Sequence, residues 1–365
     1  MRTIYVSAEG RMAGAEHSLL LLLRHLRGRI EPVVACPAGS DLLTQCRDEG
    51  IACEELPALG RGNALSKRRC LQAALCLRRI ARRIRPDVIH ANNFHAMAIS
   101  GLSRGIGGAK LIWHARDLPK AGLLTRWCIA RAQGIVAVSK GIKQRLKELG
   151  AGDEKIEVVY NGIDPVDDDT LPAQTEDSGF TFACIGQIVR WKNQGDFLEA
   201  ARIVHRQLPH ARFLLVGSDV FDRRGSYEAQ IKARIESTRM SYVECVGWQK
   251  DMEPVWRGTD CLVHSARMEP FGRVLIEAMA HGRPVVAFAS GGPAEIVANG
   301  RTGLLVPFGH VQALSKAMLR IAREPHLAAA MGRAARQRVL EQFRADKTAE
   351  GVMAVYQKAL GQNGS

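Results

Sequence analysis

The 365-residue sequence has no apolar run near the ~18 residues needed to cross a bilayer; the five leucines Leu19–Leu23 end at once in Arg24 and His25. No charged leader with an apolar core opens the chain, since MRTIYVSAEG breaks its short apolar stretch at Glu9. Both absences predict a cytoplasmic protein. Aromatic residues make up only 5%, and no recognition motif interleaves them with the basic runs, which counts against a nucleic-acid partner. The nine cysteines are an odd number without a CxxC pair, so neither a disulfide framework nor a zinc site is expected. Cys36, Cys184, Cys245 and Cys261 lie in or beside strand-like runs, where a reduced thiol is a small hydrophobe. HExxH is missing, and Asp167–Asp169 fall in a polar stretch where they read as solvated charge, so no metal and no cofactor is expected. Internal repeats and low-complexity tracts are absent.

Acidic residues are the scarcer charge. Against 51 lysines and arginines stand 37 aspartates and glutamates, a net charge of +14. That surplus fits nucleic acid, an anionic membrane surface or a phosphorylated substrate, and charge alone does not choose among them. Apolar residues at 46% and charged residues at 24% are ordinary for a globular protein, and the length predicts two domains.

Short β-branched runs alternate with helical patterns. Strands are predicted at Thr3–Ser7, Pro32–Ala35, Val88–His90, Lys110–His114 and Gly134–Ser139, with helical patterns at Ala15–Leu26, Leu65–Ile84 and Gly141–Leu149. After the acidic, proline-bracketed stretch Asp164–Gly179 the rhythm restarts at Phe180–Gly186, Arg212–Gly217, Val243–Val246, Cys261–Ser265, Pro284–Ala289 and Thr302–Val306. Two α/β sheets in succession, each parallel and covered on both faces, account for this spacing. Leu327–Leu360 reads helical, interrupted near Phe343.

The strongest chemical signal is MEPFGRVLIEAMAHGRPVVAF, Met268 to Phe288. Glu269 follows a strand, Pro270-Phe271-Gly272 turns the chain, and a helix is expected from Arg273 to His281 with Gly282 just past its end. Its free amide ends at Gly272 and Arg273 suit a phosphate, and Glu269 and Glu277 suit sugar hydroxyls. The plainer alternative is a solvated Arg273–Glu277 ion pair.

This segment resembles the glutamate-x7-glutamate signature of the retaining glycosyltransferases of family 4. GQIVRWKNQGDFLEAA (Gly186–Ala201), ASGGPAEIVANGRTGLLVP (Ala289–Pro307) and VVYNGID (Val158–Asp164) resemble further motifs of that family. The resemblance implies the GT-B architecture, an α/β fold of two Rossmann-like parallel-sheet domains facing each other across a cleft. Residues 1–165 would bind the acceptor, 166–179 link, 180–340 bind the nucleotide sugar, and a final helix over 341–365 pack back on the first domain. It further implies that Glu269 binds hydroxyls of the donor sugar, Glu277 the ribose, and Phe271, Gly272, Arg273 and Val274 the sugar and phosphate, beside Gly186 and Gly217. Lys192 matches the lysine that neutralises the diphosphate. Gln187 stands where the family has arginine, and Arg190 is the cation placed to replace it.

In the first domain, GRMAGAEHSLL (Gly10–Leu20) resembles the family's glycine-rich loop, with Ala13 before Gly14; an ordinary tight turn is the alternative. His114 matches a family histidine near the reacting centre. His90 also ends a strand, and either histidine fits a satisfied core position as well. Asn161 belongs to the interdomain motif.

Arg61–Arg85 holds nine basic residues and no acidic one. Leu71, Leu75 and Ile84 alternate there with Arg78, Arg79, Arg82 and Arg83, which reads either as a solvated face over the sheet or as contact with an anionic bilayer. The resulting expectation is a metal-independent, retaining glycosyltransferase, peripheral on the cytoplasmic membrane face, with a nucleotide-sugar donor and a sugar or lipid-linked acceptor. It would serve polysaccharide, lipopolysaccharide or glycolipid synthesis. A GT-B nucleotide-sugar epimerase is the enzymatic alternative, and a nucleic-acid-binding protein the distant one.

Overall fold

The computed structural model describes residues 1–58, 67–103, 108–166, 179–219 and 226–362. The linker expected at 166–179 therefore falls almost wholly outside the described residues, as do Asp167–Asp169 and positions 61–66 of the basic run. Two compact units emerge, one of Met1–Gly162 with Ala345–Ser365, the other of Ile163–Arg344.

The first unit is built on seven strands: β1 (Arg2–Val6), β2 (Glu31–Pro37), β3 (Ala52–Leu56), β4 (Val88–Ala91), β5 (Lys110–Ala115), β6 (Gly134–Ala137) and β7 (Ile156–Val158). They pair in the order β3-β2-β1-β4-β5-β6-β7, each neighbour parallel. The second unit has six: β8 (Thr181–Ile185), β9 (Arg212–Val216), β10 (Val243–Gly247), β11 (Cys261–His264), β12 (Val285–Phe288) and β13 (Gly303–Val306). Their order is β10-β9-β8-β11-β12-β13, again all parallel. Val88–Ala91, Cys261–His264 and Val285–Phe288 are buried at every position, as central strands covered on both faces must be. In each sheet the order reverses once, between β1 and β4 and between β8 and β11, the kind of crevice in which open α/β sheets bind ligands.

Local chemistry sets the helix starts. Asn93 accepts from the Ala96 amide at 2.8 Å and Ser139 from Ile142 at 3.2 Å, capping the helices Phe94–Leu102 and Lys140–Glu148. The predicted break at Phe343 separates the helices Pro325–Gln342 and Ala345–Leu360. The sequence reading puts domain borders at 165 and 340, whereas the units divide at Gly162 and Arg344. Ile163 bridges to Arg344 and donates to the Phe343 carbonyl at 2.9 Å, and the Phe343 ring lies 6.1 Å from Phe271, so these residues belong with the second unit. The helix Ala345–Leu360 belongs to the first, where Val352, Met353, Val355 and Tyr356 join the core of Tyr5, Leu19 and Val136.

The helix Lys67–Ile84 packs through a side that excludes Leu71 and Leu75. Ala73, Ala74, Leu77, Ile80 and Ala81 are buried, while Leu71 and Leu75 are 54% and 47% exposed. Arg68, Leu71, Leu75, Arg79 and Arg82, three or four residues apart, form one exposed stripe. Arg83 pairs with Glu54.

Candidate active site

In the second unit, the loops leaving β8 and β11 meet where the strand order reverses. Ser265 Oγ donates to the Lys192 carbonyl at 3.1 Å, and the Arg267 amide to the Trp191 carbonyl at 2.9 Å. These bonds fasten the short turn Arg190–Lys192 to the segment that carries Glu269. Lys192 Nζ lies 2.5 Å from Glu269 Oε2 and 4.4 Å from the centre of the Trp191 ring. The same carboxylate oxygen meets His264 Nε2 at 3.2 Å, leaving Oε1 out of both contacts.

Burial pushes the Glu269 carboxyl up, but the Lys192 charge and the His264 hydrogen bond outweigh it and hold the pKa at about 2. Burial keeps His264 below its ordinary value despite the neighbouring carboxylate. At neutral pH His264 is therefore uncharged and gives its Nε2 hydrogen to Glu269, since a carboxylate only accepts.

Two glycines make this junction sterically. A Cβ at Gly217 would stand 2.0 Å from the Gly186 carbonyl oxygen, so the loops after β8 and β9 touch only because that side chain is missing. A Cβ at Gly292 would stand 1.8 Å from the Phe271 carbonyl oxygen, and the Gly292 amide donates to the Glu269 carbonyl at 2.8 Å.

The helix after Gly272 runs from Arg273 to Ala280, and no side chain caps its amide ends. Phe271 and Gly272 are buried and Val274 partly so. Arg273 Nε is 2.8 Å from Glu277 Oε1, so the expected ion pair is present, but its alignment is too poor for a hydrogen bond; Nε and Nη1 are buried with donors unused. Arg190 is not brought to Lys192 and Glu269. Its guanidinium donates to Gln230 at 3.2 Å and lies over the Tyr227 ring.

The first unit gathers Ala13, Gly14, His90, His114 and Asn161 around its own reversal. Ala13 precedes the helix Gly14–His25, and a Cβ at Gly14 would meet nothing within 4 Å, so space alone does not require glycine. That helix start already holds a carboxyl. Glu16 is 2% exposed, accepts from Ser7 Oγ at 3.1 Å, and is raised to about 7 by burial and then by the Glu9 charge. Arg116 links the ends of three segments, donating to Asn92 Oδ1 at 2.9 Å and to Asn161 Oδ1 at 2.7 Å. His114 and His90 are fully buried with Nδ1 and Nε2 3.1 Å apart. Burial first, then the Arg116 charge, drives His90 to about 3 and His114 well below its ordinary value, so both rings are neutral.

His264, Arg116 and Glu16 are the polar residues that sequence reasoning passed over. The only available sign of His264 was a histidine closing a strand five residues before Glu269.

Two family models match the chain: Glycosyltransferase Family 4 over residues 12–167 and Glycosyl transferases group 1 over residues 169–338. Among curated relatives, the chain is 28% identical over 277 residues to the alpha-maltose-1-phosphate synthase of Mycolicibacterium smegmatis, covering 67% of this chain and 69% of that one. It is 26% identical over 294 residues to the lipopolysaccharide core biosynthesis mannosyltransferase LpcC of Rhizobium leguminosarum bv. viciae, covering 78% and 81%. In fold it resembles Anabaena HepE, crystallised with UDP and glucose, with a TM-score of 0.84 at 21% identity over 97% of this chain and 98% of that one.

Proposed function

Because the chain belongs to glycosyltransferase family 4 and is a nucleotide-sugar-dependent transferase, we propose that the Lys192–Glu269 pair marks its donor site and that transfer retains the anomeric configuration. The observation carrying this reading is a buried carboxylate 2.5 Å from a partly buried cation at the strand-order reversal. A bound donor exchanges that contact for two others. Lys192 turns to the diphosphate, and Glu269 accepts from hydroxyls of the sugar.

The bond from the anomeric carbon to the phosphate oxygen then breaks, and the acceptor hydroxyl bonds to the same face of the carbon. The leaving phosphate takes the hydroxyl proton. Charge growing on it meets Lys192, the amide ends at Gly272 and Arg273, and the unused Arg273 donors. These cations supply the positive charge without a metal. Glu277 holds the ribose once the donor draws Arg273 away, and within the first unit His114 is the residue we assign to substrate contact. Arg190 would have to leave Gln230 and Tyr227 to join the clamp. The relatives are transferases and synthases, which leaves the epimerase alternative without support.

A UDP-sugar is the first donor to try, given the ligands of the HepE structure. Thermal shifts with UDP-, GDP- and ADP-glucose should single out one nucleotide, with about 2.7 kcal/mol of stabilisation at 100 times its dissociation constant. Proton NMR of the glycoside formed from that donor should show the donor's own anomeric configuration, with the rate unchanged by EDTA. Inversion, or loss of activity in EDTA, would refute the retaining or the metal-independent part.

The acceptor class we propose is lipid-linked, in polysaccharide, lipopolysaccharide or glycolipid synthesis at the cytoplasmic membrane face. No described helix is long and apolar enough to cross a membrane. The support is the exposed stripe of Arg68, Leu71, Leu75, Arg79 and Arg82, where leucines can enter a bilayer surface and each cation adds on the order of 1 kcal/mol on anionic lipid. Sedimentation with vesicles containing phosphatidylglycerol should show binding that weakens as salt shortens the screening length below ~10 Å. The combined variant Leu71→Ser, Leu75→Ser, Arg79→Gln, Arg82→Gln should stay in the supernatant. Undiminished binding by that variant would leave the stripe a solvated face.

A further inference from the structure

The Glu269 carboxylate has two nitrogen partners, and they are held in place very differently. Lys192 stands on the short turn Arg190–Lys192, with its side chain 15% exposed. The Ser265 and Arg267 bonds fasten the main chain of that turn and do not restrain the four-carbon side chain. His264 is the last residue of β11, a strand buried at every position, and pairs with Ala287 on β12. Its side chain is 4% exposed. Both nitrogens meet the same oxygen, Oε2, at 2.5 Å for Lys192 and 3.2 Å for His264. Among the described residues these are the titratable groups that act on the carboxylate.

A bound donor affects the two partners unequally. The diphosphate draws Lys192 by exchanging one anionic partner for another, and the long side chain can follow. The His264 ring is packed at the end of a central strand and cannot. With Lys192 gone, Glu269 would be a buried charge without a compensating partner, which is costly. The His264 N–H is the donor that remains. A hydrogen bond from such a group to a carboxylate is stronger than one between two neutral groups.

We propose that His264 holds the Glu269 carboxylate in place after the donor has taken Lys192 away, keeping Oε2 occupied and Oε1 available to the sugar hydroxyls. This rests on the donor-site reading above. His264 acts only through Glu269 and is a positioning residue. In the free protein Lys192 masks the loss of His264; in the donor complex nothing does.

Two substitutions of similar shape separate the hydrogen bond from the packing. His264→Gln keeps an N–H near the place of Nε2, and His264→Met has the length of glutamine without it. In steady-state assays His264→Met should lose about 10- to 100-fold in kcat/KM, the worth of a hydrogen bond to a charged group. His264→Gln should recover most of that loss. The acid limb of kcat against pH, which reports the donor complex, should move to higher pH in His264→Met, because Glu269 then holds its charge less readily. Equal losses in the two variants, or an unmoved limb, would make His264 a packing residue and overturn the proposal.

A second comparison needs no donor, since Lys192→Met imitates the departed lysine. Thermal melts are taken of Lys192→Met alone, with His264→Gln added, and with His264→Met added. At pH 7 the last should melt lowest. Its gap to the other two should close as pH falls, because the unpartnered buried carboxyl takes up a proton and its penalty disappears. Three coincident melts, or a gap that pH leaves unchanged, overturn the proposal even if the donor site is as described. Normal turnover in Lys192→Ala would instead sink the donor-site reading, while these melts still decide whether His264 holds Glu269.

Discussion

Lys192→Ala is expected to lower kcat by about 10²–10³ while raising the donor KM less, because the diphosphate that Lys192 meets in the bound donor gains further negative charge as the sugar–phosphate bond breaks. Glu277→Gln is expected to do the opposite. The ribose does not react, so losing its contact mainly raises KM. Steady-state nucleotide release, assayed with the donor that shifts the wild-type melt, separates the two. Near-normal turnover in Lys192→Ala would take the lysine out of the chemistry and the donor-site reading with it. The same substitution also acts on stability. Glu269 titrates near 2 in the folded chain against an ordinary 4.5, so its ionisation stabilises the fold above pH 4.5 and that contribution fades as pH falls toward 2. Without Lys192 the carboxylate is buried beside a neutral histidine, a loss on the order of 3–5 kcal/mol. The variant should melt earlier at pH 7 and decline less steeply in acid. Kinetics therefore belong well below its melting temperature, and Lys192→Arg, which keeps the charge, should recover part of the stability.

Gly292→Ala should damage fold and site together. The added methyl would lie 1.8 Å from the Phe271 carbonyl oxygen, 2.4 Å from its carbonyl carbon and 2.5 Å from its Cα, all main-chain atoms that no rotamer change can clear. Relief requires moving the segment Glu269–Gly272, which is held at its other end by the Gly292 amide. Overpacking of this kind costs about 1–3 kcal/mol or more, a fall on the order of 5–10 °C in the melt of a unit this size. Displacing Glu269 by even an ångström should reduce kcat/KM about 10²-fold. A variant that melts and turns over like the wild type would mean that the loop carrying Glu269 shifts freely and that its close packing is not what aligns the site.

How far the sequence could be read depended on how local each cause is. The helix after Gly272, its end before Gly282 and the break at Phe343 were legible because caps and breakers act within a turn or two. Ala52–Leu56 escaped notice as a strand because Glu54 and Glu55 interrupt its apolar pattern. As an edge strand it can leave both partly in solvent. Phe94–Leu102 also escaped notice, since Ala96–Gly101 are buried without a break and show no helical period. Leu71 and Leu75 did not tell which side of their helix is packed. Apolar spacing says that a stripe exists but not that alanines on another side of the helix make the closer packing. Lys192 and Glu269 could be picked out singly, but their contact spans 77 positions and depends on strand order. The Tyr356–His90 bond spans 266, and no local pattern carries it.

The return of the chain to its first unit has a consequence for the order of synthesis. Everything up to Gly162 leaves the ribosome before the helix Ala345–Leu360 exists, yet that helix supplies Val352, Met353, Val355 and Tyr356 to the first unit's core. At about 5–20 residues per second, translating Ile163 to Arg344 takes roughly ten to forty seconds. Through that interval the nascent first unit has an open seam where its last helix will sit, while the second unit, contiguous in sequence, can close on its own. The unit begun first is the one finished last. The bonds that join Tyr356 to Tyr5 and His90 likewise form only once that helix has emerged.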